Sequence, residues 1–275
     1  MLGQLQTEIA RHVWQSRYRW TTEAGITEPD IDATWQRVAR ACAASEDAAA
    51  GRWRAAYLQA LDDFRFLPGG RILAGAGSGA QMTLCNCFVM GLIEDSLEGI
   101  CRILEESALT MQRGGGIGLD FSTLRPRGAR ARDSARIASG PVSFMQVWAA
   151  MCDTLTSTTS RGGAMMAALR CDHPDILEFV EAKRPPSVLG SFNLSVLVTD
   201  DFMEAVRKEA SWPLVFPAEH VDGDGETMER SWPGFDDPVP CRVLARLPAK
   251  ALWKTIMRTA YETAEPGVIF IDTVN

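Results

Sequence analysis

"MTLCNCFVMGLIEDSLEGICRILEESALTMQ" occupies residues 82–112. Its first nine residues, "MTLCNCFVM", are short and rich in β-formers, and a period of two puts Thr83, Cys85, Cys87 and Val89 on one face of a strand. After "GLI" the period lengthens. Leu97, Ile100, Leu104, Ala108 and Met111 form the apolar stripe of a helix. Asp95 and Glu98 stand at capping-box spacing, with Asp in place of the usual Ser or Thr. "RGGGIG" then ends the helix. A strand feeding a helix through a short polar link predicts an α/β fold.

The alternation continues downstream. "PVSFMQVWAAMCDTL" reads as a helix with Pro141 in its first turn and a broad face of Phe144, Val147, Trp148, Met151 and Leu155. "SRGGAMMAALR" is a Gly-containing loop leading into a strand. "DHPDILEFVEA" starts a helix with Pro174 in its first turn, and "FNLSVLVTDDFMEAV" is a strand running into a helix. "PAKALWKTIMRTAYETA" and "GVIFID" repeat the pattern as helix and strand. The polar stretch 219–239, rich in Gly and Asp, reads as a long surface loop. Upstream the texture is helical. "PDIDATWQRVARAC" spaces Ile31, Trp35, Val38 and Cys42 at helical intervals behind a capping Asp30, and "RWRAAYLQALDDF" does the same with Trp53, Tyr57, Leu61 and Phe64. The expected organisation is a helical region over 1–66 and an α/β region over 67–275.

Composition bounds the function. The chain of 275 residues is 46% hydrophobic and 23% charged, with a formal net charge of −7. That balance suits a globular protein with a real core and offers no global field to nucleic acid or an anionic membrane. No apolar run reaches the ~18 residues of a membrane span. The N-terminal "MLGQLQTEIARHVWQ" lacks the apolar core of a signal peptide, so a cytoplasmic location is expected. The seven cysteines should then be thiols. Cys42, Cys101 and Cys152 fall in helical patterns and are expected to pack as small hydrophobes.

Three features could carry chemistry. Gly69, Gly70, Gly75, Gly77 and Gly79 punctuate "LPGGRILAGAGSGA", which lacks the Lys-Ser or Lys-Thr of a P-loop and the dinucleotide fingerprint. Arg125, Arg127, Arg130, Arg132 and Arg136 crowd a chain that is otherwise acidic. They read either as a solvated loop or as an anion site, since Arg offers a planar fork to phosphate. The Cys85/Cys87 pair admits three readings: packing, a redox thiol, or a zinc set completed by Cys171 and His173.

Five collinear segments settle the direction: "RFLPGGRILAGAGSGAQMTLCNCFVMGLIEDSLEGI", "MQRGGGIGLDFSTLRPRGA", "SGPVSFMQVWAAMCDTL", "SRGGAMMAALRCDHPDILEFVEAK" and "FNLSVLVTDDFMEAV". Together they resemble the catalytic subunit of ribonucleotide reductase, most nearly its adenosylcobalamin-dependent class. The resemblance implies a helical N-terminal region followed by the first five-stranded half of a ten-stranded α/β barrel. It implies replacement of a ribose 2′-hydroxyl by hydrogen, begun by a thiyl radical and completed by a dithiol that becomes a disulfide. Cys87, the Cys before "FVMG", matches the first member of that dithiol; Cys85 matches no family role. Arg71 and Asn86 match substrate contacts, and Gly116 a close backbone approach to substrate. Asp95 and Leu97 match positions that read the base of an allosteric effector, a deoxynucleoside triphosphate or ATP. Arg125 and Arg132 match positions near its phosphates. "SRGGAMM" matches the loop relaying effector identity, and helix 141–156 a homodimer interface. No resident metal is implied. The family's Asn-Pro-Cys-Gly-Glu segment, which carries the radical Cys, does not occur in these 275 residues. The expected function is therefore the N-terminal part of a ribonucleoside-diphosphate reductase, active only with the C-terminal half, which a separate chain could supply. A non-catalytic nucleotide-binding or dimerisation module derived from the same family, and a zinc-bound structural protein, are the alternatives.

Overall fold

The computed structural model describes all residues except 1–4, 23, 26, 130–136, 157–162, 186, 188 and 275. It divides into two compact units. The first comprises residues up to Asn86 together with Arg113–Gly115, and the second comprises Cys87–Gln112 and Gly116 onward.

The first unit is built from α1 (Glu8–Arg17), α2 (Ile31–Ala43), α3 (Ala50–Leu61) and the short α4 (Gly70–Gly75). Thr7 and Asp30 cap α1 and α2 by accepting the backbone N–H of Ala10 and Ala33, each satisfying a donor the helix leaves open. The stripe of α2 packs as its spacing requires: Ile31, Trp35 and Val38 join Trp14, Leu61, Leu73 and Ala76 in one core. Arg37 is also inside. Its Nε donates to Glu28 at 2.7 Å, and its two terminal nitrogens reach the carbonyls of Ala76 and Leu73 at 2.6 and 2.9 Å. One guanidinium thus ties α2 to the end of α4, its charge compensated and its donors used. The stripe expected on α3 does not hold to its end. The helix stops at Leu61, and Phe64 lies beyond it at φ +55° and is exposed.

The second unit contains a parallel sheet in the order β1 (Cys87–Val89), β2 (Gly116–Asp120), β3 (Met165–Arg170), β4 (Phe192–Val198) and β8 (Gly267–Phe270). Parallel neighbours need crossovers, supplied in turn by α5 (Leu97–Gln112), α6 (Pro141–Thr156) and α7 (Ile176–Glu181). Between β4 and β8 run α8 (Asp200–Arg207), an antiparallel sheet of β5 (Ser211–Pro217), β6 (Thr227–Arg230) and β7 (Val239–Pro248), and α9 (Ala249–Thr263). The core strands β3 and β4 are nearly continuous apolar runs because helices cover them, and Met165, Ala167, Leu169, Leu194, Val196 and Val198 are all buried. A polar pin sits between α5 and α6: Trp148 Nε1 donates to Ser107 Oγ at 3.1 Å, and Ser107 donates onward to Ile103 O at 2.6 Å. Phe121 meets Trp148 edge to face at 5.4 Å.

Several local expectations are corrected. The strand at 82–90 is shorter than its pattern. It begins at Cys87, while the Cys85 N–H donates to Thr83 Oγ1 at 3.1 Å in a local turn. Cys85 and Cys87 therefore do not share a strand face. Ser96, not Asp95, caps α5, accepting from Gly99 N–H at 3.0 Å. Leu97 is 70% exposed, and Ile103 takes its place in the buried stripe. Cys101 is exposed rather than packed, whereas Cys152 is buried as expected. The stretch 219–239 is not all surface loop: it contains β6, and Val221 and Trp232 within it are buried. Alternation did not announce β5, because Pro213 and Pro217 interrupt it; prolines of this kind are confined to edges, and β5 is an edge of its sheet.

Candidate functional site

Cys87 opens β1, an edge strand of the parallel sheet, and is exposed. It lies in register with Gly116 of β2, so two of the predicted site residues are direct neighbours. Thiol reactivity depends on reaching the thiolate form and on access, and the cysteines separate on that basis. Desolvation pushes the Cys171 and Cys241 thiols up to about 12, and burial also raises Cys152 and Cys42. The exposed thiols are Cys85, Cys87 and Cys101.

In the first unit, Arg71 belongs to α4 and Asn86 closes the unit. A Cβ placed on Gly114, which has φ +85°, would stand 2.4 Å from Arg71 Nη1. The guanidinium therefore rests directly on a bare backbone at "RGGG", where only glycine suits both the conformation and the space. Asn86 Nδ2 lies close to Gly69 in the same way, 3.5 Å from where its Cβ would be.

Asp95 and Arg125 meet as an ion pair. Arg125 donates from its backbone N–H and from Nε to the two carboxylate oxygens at 3.1 and 2.7 Å, and from Nη2 to the Asp95 carbonyl at 3.2 Å. Their side chains are only 11% and 12% exposed. Thr123 Oγ1 donates to Ile93 O at 2.6 Å, holding the two loops that carry the pair. Leu97 projects to solvent at the start of α5. Arg132 lies outside the described residues, as do Arg130, Arg136 and Ser160–Gly162 of the relay loop. Helix 141–156 is present as α6, with Val147 exposed beside buried Trp148.

His173 and Cys171 do not act as open ligands. The His173 ring is buried, its Nδ1 accepting from Asp175 N–H at 3.0 Å and its Nε2 3.0 Å from Leu124 O. Those partners fix the neutral Nε2–H tautomer, and desolvation lowers its pKa to about 4. With both nitrogens engaged, the zinc reading loses a ligand. Beside it Arg170 clamps Asp172 with two bonds of 2.8 Å and stacks over Trp232 at 4.6 Å. Sequence reasoning missed this cluster and His220, which lies 3.9 Å from Asp95. The "RCD" spacing was a signal for the clamp; nothing local signalled His220, which is 125 positions from Asp95.

The fold has two parts, a helical unit and an α/β unit built on a parallel sheet. Residues 4–81 match the all-alpha domain of ribonucleotide reductase and residues 85–275 match its barrel domain; the chain belongs to the ribonucleotide reductase family. Among curated relatives, it is 35% identical over 268 residues to the vitamin B12-dependent ribonucleoside-diphosphate reductase of Mycobacterium tuberculosis, covering 96% of this chain and 35% of that protein. It is 33% identical over 227 residues to the enzyme of the same name from Thermoplasma acidophilum, covering 82% of this chain and 27% of that one. The ribonucleoside-diphosphate reductase subunit alpha of Chlamydia trachomatis is 24% identical over 251 residues, 88% of this chain and 24% of that one. The chain thus spans 27–35% of the length of the B12-dependent relatives it matches. No helix among the described residues is long and apolar enough to cross a membrane.

Adenosylcobalamin, implied by the names of those relatives, does not fit the cavities described for this chain. These measure about 400, 370 and 290 Å³, near the lower bound for drug-sized ligands, and a corrin with its nucleoside is bulkier.

Proposed function

We propose that this chain supplies the reductant strand and the effector site of a B12-dependent ribonucleotide reductase acting on ribonucleoside diphosphates. Cys87 is half of the reducing dithiol. In the reaction two thiols give up two electrons and two protons, a disulfide forms, and the ribose 2′-hydroxyl leaves as water, replaced by hydrogen. Arg71 and Asn86 bind substrate, and Gly116 lets the backbone approach it. Asp95, Leu97, Arg125 and Arg132 serve a nucleoside triphosphate effector, and α6 serves a homodimer. The radical Cys, the second dithiol Cys and the adenosylcobalamin site come from sequence beyond these residues, in the same polypeptide or another. The observation that carries the reading is Cys87 itself: an accessible thiol on an edge strand, opposite a glycine, in a chain whose deeper thiols are held protonated by burial.

The test is complementation with a polypeptide carrying the Asn-Pro-Cys-Gly-Glu segment. Cys87→Ser keeps the shape but cannot form the disulfide, so dithiol-driven turnover should vanish, while Cys85→Ser should leave much of it. Equal loss in both variants would refute the assignment. Turnover by this chain alone, with adenosylcobalamin and dithiothreitol, would refute the need for a complementing segment.

A further inference from the structure

We propose that the helical unit has a ligand pocket of its own, which takes a flat, neutral, largely apolar molecule bearing one hydrogen-bond acceptor. The cavity measures about 400 Å³ and is lined from α1, α2, α4 and the segment after α3, by residues that include Val13, Tyr18, Trp35, Phe64, Leu67 and Leu73. Its aromatic and aliphatic walls suit a planar ring. All of its lining residues belong to the first unit, whereas Cys87, Asp95 and Arg125 belong to the second. None of them carries a charge, so an ion entering it would lose hydration without gaining a counter-ion.

One buried donor in this wall is unanswered. Trp35 is 3% exposed, and its Nε1–H is shielded from solvent with no acceptor among the described residues. Trp14, in the same wall, shows what such a group ordinarily has: its Nε1 donates to Thr34 Oγ1 at 3.0 Å. A buried N–H without a partner is rare and costly. Phe64 stands against Trp35, edge to face, with ring centroids 5.4 Å apart. Its position there is strained. Asp63 and Phe64 follow one another in left-handed backbone, at φ +57° and +55°, a conformation that costs any residue with a Cβ. Phe64 is also 38% exposed, so little packing opposes an outward swing of its ring.

A ligand ring can therefore take the place of Phe64 against the indole, and a carbonyl oxygen on that ring can accept the Nε1 proton. The strain released and the bond gained both favour the bound state. Tyr18 adds a hydroxyl to the wall, set against the bare backbone of Gly70, where a Cβ would stand 2.9 Å from it. A protein segment is the weaker candidate for this pocket. It would fill the walls with a Leu or Phe anchor, and such side chains bring no acceptor to Trp35.

The probes are methyl naphthyl ketone and isopropenylnaphthalene, which has the same shape with CH2 in place of the carbonyl oxygen. Each is made to displace Prodan, a naphthyl ketone dye whose emission moves to the blue on leaving water, from the 275-residue chain. The ketone should bind about threefold to tenfold more tightly, the worth of one net hydrogen bond. Trp35→Phe keeps a ring and removes the donor; it should bring the two compounds within about twofold. Val13→Trp fills the cavity from an exposed position of α1 and should abolish binding of both, a result that does not depend on the Phe variant folding. No binding, equal binding of the two compounds by the wild type, an unchanged preference in Trp35→Phe, or binding that survives Val13→Trp would each overturn the inference. So would loss of ketone binding when the complementing polypeptide is added, because the pocket would then be covered by protein.

Discussion

Replacing His173 by Gln should change how stability depends on pH, by an amount the structure sets. The His173 ring is buried and neutral, with a pKa lowered by desolvation from 6.5 to about 4. The folded pKa lies below the unfolded one, so as pH falls the unfolded chain takes up the proton first. The stability tied to a neutral His173 is therefore complete above about pH 7. It declines as pH falls below 6.5, and the loss is complete only below about pH 4. At about 1.4 kcal/mol per pH unit, the full loss is roughly 3 kcal/mol, and roughly 2 kcal/mol is gone by pH 5. Asp120 and Asp175, whose pKa values burial raises, act in the opposite sense but are common to both proteins, so the difference isolates the histidine. In His173→Gln the amide can donate to Leu124 O but leaves Asp175 N–H without its acceptor, costing about 1–3 kcal/mol at pH 7.5. The two stability curves should therefore converge by pH 5. Urea midpoints followed by tryptophan fluorescence would show it, because Trp212 donates to Cys171 O at 3.1 Å, two residues from His173. Parallel curves from pH 7.5 to 5 would refute the buried neutral histidine.

Thiol labelling of the native chain should modify Cys85, Cys87 and Cys101 quickly and Cys152, Cys171 and Cys241 only on unfolding; mass spectrometry of the adducts checks this, and rapid labelling of Cys171 would contradict its burial. Gly114→Ala should cost about 1–2 kcal/mol for its left-handed backbone alone, and more where the new methyl meets Arg71; a melting curve within a degree of wild type would count against the contact. Arg125→Ala leaves Asp95 buried without its partner and should destabilise by about 3 kcal/mol, with binding of all nucleoside triphosphates weakened alike; loss of one nucleotide only would argue that Arg125 reads the base.

Much of this protein is local in origin. The stripe Ile31–Trp35–Val38 behind Asp30 specifies α2 because a helix repeats every 3.6 residues and a carboxylate there caps it. The apolar runs "MMAALR" and "FNLSVLV" specify strands covered on both faces, and the helices between them force those strands to lie parallel. The resemblance of "CFVMG" to a family motif is what singles out Cys87 among the seven cysteines. What only the tertiary structure decided depends on partners far apart in the chain. Asp95 has capping spacing, yet its carboxylate is taken by Arg125, 30 residues on, and the cap passes to Ser96. Cys101 and Cys152 both sit in helical patterns, but one is exposed and the other lies in the core, because burial depends on which neighbour covers a helix face rather than on the helix's own period. His220 sits in a polar stretch and Trp232 between two charged runs, and neither has a sequence pattern that points to Asp95. Their juxtaposition with Asp95 follows only when the antiparallel sheet folds back over the loop before α5, because a hydrogen-bonding group is defined by what lies 3 Å away in space and not by its neighbours along the chain.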